Sequence, residues 1–376
     1  MNKIKLLIVA FVIVAICGCG DKDKFSNNDN NNHDKSNVYY LKAGEMVYDD
    51  GLVFGNDAAY WLDFNTMKST ILCNRPNCKH DNPECVARII GNAPIIFDEY
   101  LYFFDVKDGI DEKKGNHEFY INSKLKRISL NTSKIEDVVS FSDCEPRAND
   151  GSVLINGTLY FCGDDMNPTE DSYGNIMWSK TGGTHYLCSI DLKSGEYINY
   201  GSIYDGDKEY EASSRSSSAK VRGFYNSKIY IQYSFMKEDF SFSESNSNVD
   251  ARDVFTILNF DFDLDTKEIE LSSLPPSSYA QNNTYVYSNY PINASTIIID
   301  DRKIVLDGVD SNRTGKVSNN KLFLNDSWYG IIDGKKHSLG TYTDWRFMGT
   351  YEDSYIFSNM EGTEFVKISE EELNAL

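Results

Sequence analysis

The chain has 376 residues, with 37 basic and 57 acidic side chains and a formal charge of −20. That balance argues against a nucleic-acid partner, because phosphate binding needs basic patches that so acidic a chain cannot easily assemble. At 41% hydrophobic and 25% charged the composition is globular, and 25 Tyr and 21 Phe against 8 Pro favour a strand-rich core.

The N-terminus carries an address. Lys3 and Lys5 precede an unbroken apolar stretch from Leu6 to Ile16, which has secretory-signal length and falls short of the ~20 residues a spanning helix needs. Ile16-Cys17-Gly18-Cys19 follows, and reads as a bacterial lipobox with Gly18 as the small residue before the modified cysteine. Cys17 fits worse, because Ile16 would stand in the small position. The expectation is a signal peptide over 1–18, lipidation at Cys19, and export to the outer face of the cytoplasmic membrane through that lipid anchor. An uncleaved anchor or an ordinary secretory signal is the alternative. Residues 19–37 hold one aromatic, Phe25, and no aliphatic residue, so they read as a flexible tether with a solvated His33. Residues 38–376 form the domain.

Within the domain one pattern recurs: an acidic residue or Asn, two turn-compatible residues, then strand formers. It appears from Asp49, Asp98, Asn156, Asn226, Asp301, Asn319 and Glu352, as in NGTLYF and NSKIYI. Strand-like residues flank most of these turns, which is the hairpin signature. A second element follows in four copies: WLDFNT at 61–66, RISLNT at 127–132, SIDLKS at 189–194 and DFDLDT at 261–266. Each ends in a polar turn and continues as another strand. Four short strands in fixed order predict an all-β fold, a β-propeller of about seven four-stranded blades, with six or eight as alternatives. The units begin near residues 45, 89, 152, 221, 285, 315 and 345. The last supplies three strands, and VYYLK at 38–42 is expected to add the fourth and close the ring. Only SEEELNAL at the C-terminus reads as helix.

Between the first two units lies LCNRPNCKHDNPECVA, with Cys73, Cys78, His80 and Cys85. Lipobox, tether, blade repeats and this LC-x4-C-x-H-x4-C segment together resemble a family of Gram-positive surface lipoproteins that carry a β-propeller. The resemblance implies an architecture and no activity. Three thiols and an imidazole could form a closed tetrahedral zinc site, although Cys78 and His80 would make an unusually tight chelate. Disulfides are the preferred reading, since six cysteines remain once Cys17 and Cys19 are set aside, an even number for an exported domain. Cys162 and Cys188 fall in neighbouring strands and could pair, leaving Cys144 to bridge to the cluster. Thiols in a reducing habitat are the third option. A nucleophilic cysteine has no recognisable basic partner.

Other constellations are weaker. Asp261, Asp263 and Asp265 alternate and could hold calcium, but the glycine and distal glutamate of a calcium loop are missing; a half-exposed strand is the plainer reading. The acidic loop with Asp164, Asp165, Glu170 and Asp171 reads as solvated, calcium again being second. His117, His185 and His337 each stand alone in the sequence. Trp178, Trp328 and Trp345 sit in or beside loops and turns, where a ring could stack on a sugar or peptide, although core packing or loop stiffening is the more common role. The chain has no G-x-S-x-G, H-E-x-x-H, P-loop or sialidase-type repeat, so no catalytic residue and no cofactor site is assigned. The preferred function is a cell-surface binding or interaction module for a protein, peptide or glycan. The alternatives are an extracytoplasmic hydrolase with acidic residues in the channel, and a structural component of the envelope.

Overall fold

In the computed structural model the described residues are 38–42, 45–55, 58–73, 75, 77–82, 85–90, 94–105, 108–110, 119–121, 123–130, 132, 134–148, 151–164, 169–170, 176–177, 184–204, 217–236, 255–274, 278–281, 284–289, 294–299, 302–307, 316–324 and 327–376. The expected signal peptide over 1–18, Cys19 and the expected tether over 19–37 lie outside them.

Antiparallel meanders follow one another along the chain. Four-strand meanders occupy residues 45–71, 95–140, 152–202, 217–271, 278–307 and 316–338, and a three-strand meander occupies 345–369. The turn chemistry explains why. Asp98, Asn156, Asn226, Asn319 and Glu352, the first residues of five repeat copies, all have positive φ, between 45° and 52°. Ser227 and Asn320 continue in the same region at 59° and 57°. Two successive left-handed residues make the tight hairpin whose twist matches that of the strands, and Asn and Asp enter this region more readily than other side chains. Asp301 lies outside the described residues.

The second repeated element is a side-chain-closed turn. Asp63 Oδ1 accepts the backbone N–H of Asn65 and Thr66, both at 2.8 Å. Asp191 does the same for Lys193 and Ser194, and Asp263 for Asp265 and Thr266. The chain then passes through a left-handed residue, Met67, Gly195 or Lys267, whose N–H returns to the aspartate carbonyl. The DFDLDT aspartates therefore shape a hairpin, with Asp263 Oδ1 already accepting two donors.

The meanders bury their faces against one another, as a propeller requires. Val53 and Trp61 of the first pack with Leu101 and Phe103 of the second. Tyr102 and Leu125 meet Phe161 and Cys188 of the third, and Val153 and Leu187 meet Ile231 and Phe262 of the fourth. The series continues with Ile297 and Leu306 on Leu322 and Tyr329, then Phe323 and Trp328 on Phe347 and Tyr355. Met348 and Ile356 of the last meander pack on Leu52, Leu62 and Phe64 of the first, and Arg346 reaches Glu45 at 2.7 Å across the same junction. First strands of successive meanders lie side by side, third with fourth, fourth with fifth and sixth with seventh, so they line the axis.

Two expectations are corrected. The strand Val38–Lys42 does not extend the last meander. It pairs instead with the first strands of the first and third, Leu41 opposite Met46 and Val38 opposite Ile155. Alternation decides this: Leu41 and Tyr39 face the second–third core while Val38 and Tyr40 face the third–fourth core, so both faces of the strand are apolar-matched near the axis. The last junction closes through side-chain packing and the Glu45–Arg346 pair. The fifth meander also begins at Ser278, ahead of the repeat signal.

The C-terminal helix Glu370–Ala375 forms as expected, with a capping box in which Ser369 and Glu372 bond reciprocally. It is held by Lys321, a buried residue whose Nζ lies 2.6 Å from Glu370 and 3.1 Å from the Tyr355 hydroxyl.

Gly157 tests the hairpin argument. Its φ is +87°, and a Cβ there would stand 2.6 Å from the Phe97 ring of the neighbouring meander. Gly157→Ala is expected to cost about 2–3 kcal/mol in urea unfolding, the sum of left-handed strain and overpacking. A change below about 0.5 kcal/mol would show that the turn does not hold this geometry.

Candidate functional site

Topology separates the two rims of the propeller. The tight hairpins after the first strands and the aspartate turns after the third both lie on one rim. Connections from second to third strands (106–123, 165–184 and 237–254), and from each meander to the next, start from the opposite rim. That rim holds both clusters of chemically capable side chains in the described structure.

The first cluster is the cysteine segment, which joins the last strand of the first meander to the second meander. Donor atoms of Cys73, Cys78, His80 and Cys85 all lie within 4.8 Å of one another. Cys85 Sγ is 3.5 Å from His80 Nδ1. Left-handed backbone at Asn77 (φ 63°) and His80 (φ 61°) folds the segment onto itself. This removes the difficulty that closely spaced Cys78 and His80 presented in extended chain. The short helix Val86–Ile90 anchors the segment, with Arg88 Nε donating to the His80 carbonyl at 2.8 Å. Cys85 is fully buried beside Ala58 and Ala87, with Tyr60, Ile71, Cys73 and Cys78 around it. The sequence grouped these four residues, and the fold brings all four together.

The other three cysteines do not join them. Cys162 lies opposite Leu187 in the strand register and Cys188 opposite Phe161. The one-residue offset sends the two side chains to opposite faces of the sheet, into different cores. The expected Cys162–Cys188 bridge is therefore geometrically excluded. Cys144 lies 3.7 Å from Cys188 and 3.3 Å from the Tyr197 hydroxyl, within the second–third core and apart from the segment it was expected to reach. Among the described residues no two cysteine sulfurs are bonded to one another.

The second cluster was not legible in the sequence. His185, expected to stand alone, is 4% exposed and lies between Asp164 Oδ1 at 2.6 Å from Nδ1 and Ser217 Oγ at 2.9 Å from Nε2. Arg147 extends the array, with Nε 2.7 Å from Asp164 and the guanidinium also on Glu145 at 3.0 Å. Glu145–Pro146 forms a short strand on the end of Thr158–Asp164, which places the array where the third meander meets the fourth. Asp164, expected to be solvated, is mostly buried. Burial opposes its ionisation, but hydrogen bonds and charge from His185 and Arg147 outweigh it and hold the carboxyl below the ordinary aspartate range. An ionised carboxylate only accepts, so Nδ1 carries a proton, while Nε2 and the Ser217 hydroxyl are within hydrogen-bond distance of one another. The residues are about 70 positions apart end to end, so no local spacing signals them.

The two described tryptophans of the three take the core-packing role. Trp328 is buried in a strand and stacks on His337, with ring centroids 3.9 Å apart. Trp345 begins the seventh meander and packs against the same core. Neither is a loop platform. Trp178, His117, Asp165 and Asp171 lie outside the described residues.

The buried Asp164 supports a pH test. Its folded carboxyl titrates below the ordinary 3.8, so its contribution is complete above that pH and is lost as pH falls below it. Asp164→Asn is expected to cost about 2–4 kcal/mol at pH 7, because Arg147 and His185 lose a buried charged partner. The deficit should shrink as wild type and variant are compared at progressively lower pH below 4. An undiminished difference at low pH would show that ionisation of Asp164 is not what stabilises the junction.

No protein-family model and no curated protein matches the chain. Among solved structures, an oligogalacturonate lyase in complex with manganese is 13% identical, covers 90% of this chain and 92% of its own, and gives a TM-score of 0.48. A PL25 ulvan lyase bound to -[GlcA(1-4)Rha3S]- is 11% identical over 88% and 94%, with a TM-score of 0.40. TolB from Acinetobacter baumannii is 10% identical over 80% and 61%, at 0.32. These likenesses concern the fold alone, and it is the chain's own series of antiparallel meanders, packed face to face with the last on the first, that makes it a β-propeller protein.

Proposed function

We propose that the chain is an exported, lipid-anchored β-propeller that binds a protein, peptide or glycan through its long-connection rim. The lipobox at Ile16–Cys19 and the polar tether support the location: a lipidated Cys19 would hold the propeller off the outer face of the membrane. The asymmetry of the rims carries the binding reading. One rim is closed by tight turns whose polar groups are satisfied locally, while the other receives every long connection. Those connections mix polar residues with aromatics, including Phe119 and Tyr120, Tyr173 and Trp178, and Phe240 and Phe242. That mixture suits stacking on a sugar or peptide with hydrogen bonds at the edges.

The test uses the full chain in detergent against an array of cell-wall glycans and peptides. Saturable binding without turnover is expected. It should be lost when 165–184 is replaced by a short Gly-Ser turn, with the unfolding midpoint unchanged. Equal binding by the shortened variant would locate recognition elsewhere and overturn the reading.

One observation favours a second reading, the extracytoplasmic hydrolase. The Asp164–His185–Ser217 array has the hydrogen-bond order of a nucleophilic relay, with Ser217 as attacking group, His185 as base and Asp164 orienting the ring. On the axis-lining strands Glu45 is engaged by Arg346. A fluorophosphonate probe should then label the wild-type chain and leave Ser217→Ala and His185→Gln unlabelled. Absence of labelling under conditions that label a control serine hydrolase would assign the array to joining the two meanders.

A further inference from the structure

We propose that Cys73, Cys78, His80 and Cys85 bind one zinc ion, as a closed site that fixes the connection between the first and second meanders. The assignment is independent of what the long-connection rim recognises.

Geometry comes first. Zinc holds thiolate sulfur at about 2.3 Å and imidazole nitrogen at about 2.0–2.1 Å. In a tetrahedron those bond lengths place two sulfurs about 3.8 Å apart, and sulfur and nitrogen about 3.5 Å apart. The Cys85–His80 separation is 3.5 Å, and all four donors fall within 4.8 Å of one another. One ion can therefore reach every donor with small side-chain adjustments.

Economy of the donor set comes second. A disulfide needs two sulfurs about 2 Å apart; it would leave a third thiol and an imidazole converging on the same point without a purpose. A metal uses all four. The left-handed backbone at His80, a region that Asn, Asp and His enter more readily than other side chains, turns the imidazole back toward the thiols, and Arg88 secures the carbonyl there.

Donor chemistry then selects the ion. Three thiolates and an imidazole suit zinc and disfavour calcium, magnesium and manganese, which prefer oxygen. Four protein donors leave no open position for water or substrate, so the ion's role is structural. What it supports is visible. Cys85 is buried against Ala58 and Ala87, and Ala59 N–H donates to Ala87 O at 2.9 Å while Leu72 N–H donates to Ala59 O at 2.9 Å. The ion would thus pin the helix Val86–Ile90 to the outer part of the first sheet and keep the connection folded against it.

The experiment measures metal and thiols on the full-length chain purified in detergent. Elemental analysis is expected to find about one zinc per chain. Cobalt substitution should produce the intense visible bands of a tetrahedral thiolate site, and chelation should release zinc and make three further thiols available for alkylation. Cys78→Ser and His80→Ala should weaken zinc by more than about 100-fold, beyond the loss expected for a merely supporting group. His80→Cys, which keeps four donors, should retain the ion and guards against a folding artefact. Cys144→Ser should leave zinc content unchanged. A metal-free chain whose cluster cysteines resist alkylation until reduced would establish disulfides and overturn the proposal. Zinc that survives Cys78→Ser together with His80→Ala would place the ion elsewhere and overturn it equally.

Discussion

The structure depends on one repeated contact, the apolar face of one meander laid on the face of the next, described at every junction but that of the fourth with the fifth. No meander of three or four short strands buries enough on its own, and each becomes stable only between two neighbours. This explains why the aromatic residues cluster where they do: Tyr102, Tyr230, Tyr329 and Tyr355, with Phe103, Phe161 and Phe357, are among the largest fully buried side chains. Large flat rings fill the gap between twisted sheets. Where the last face meets the first, Met348 and Ile356 on Phe64 complete the series, and Glu45–Arg346 adds a partly buried ion pair across the junction.

A ring closed by packing frees the N-terminal strand for another use. Val38–Lys42 lies between the first strands of the first and third meanders and offers an apolar residue to each adjoining core. Tyr40 also bonds the Phe224 backbone at 3.3 Å, tying the strand to the fourth meander. The strand is therefore built into the centre, where pairing on both edges leaves no exposed strand edge. An anchor at Cys19 would pull on a strand held by two sheets.

The two side-chain clusters of the described structure gather on one rim for a geometric reason. The tight turns of the other rim consume their own polar groups. The cysteine segment and the Glu145–Arg147–Asp164–His185–Ser217 array both sit at junctions between meanders on that rim. The first joins residues close in sequence and the second joins residues far apart. Each couples neighbouring units, so a change in either would be felt at a junction and not within a single sheet.

Much of this was legible in the residues. Asn-Gly at 156–157 announces a left-handed turn because few other pairs tolerate it, and Asp followed by Asn-Thr or Lys-Ser announces a side-chain-closed turn. Such signals act within a few residues, so the sequence by itself determined the meanders, the capped C-terminal helix and the grouping of Cys73, Cys78, His80 and Cys85. Only tertiary structure decided the rest. Which edge Val38–Lys42 occupies depends on matching two cores at once. Whether Cys162 meets Cys188 depends on a register offset of one residue. Whether His185 finds Asp164 and Ser217 depends on two meanders docking. Local chemistry fixes a turn; pairing between distant strands is fixed by the packing that buries them, which no short stretch of chain encodes.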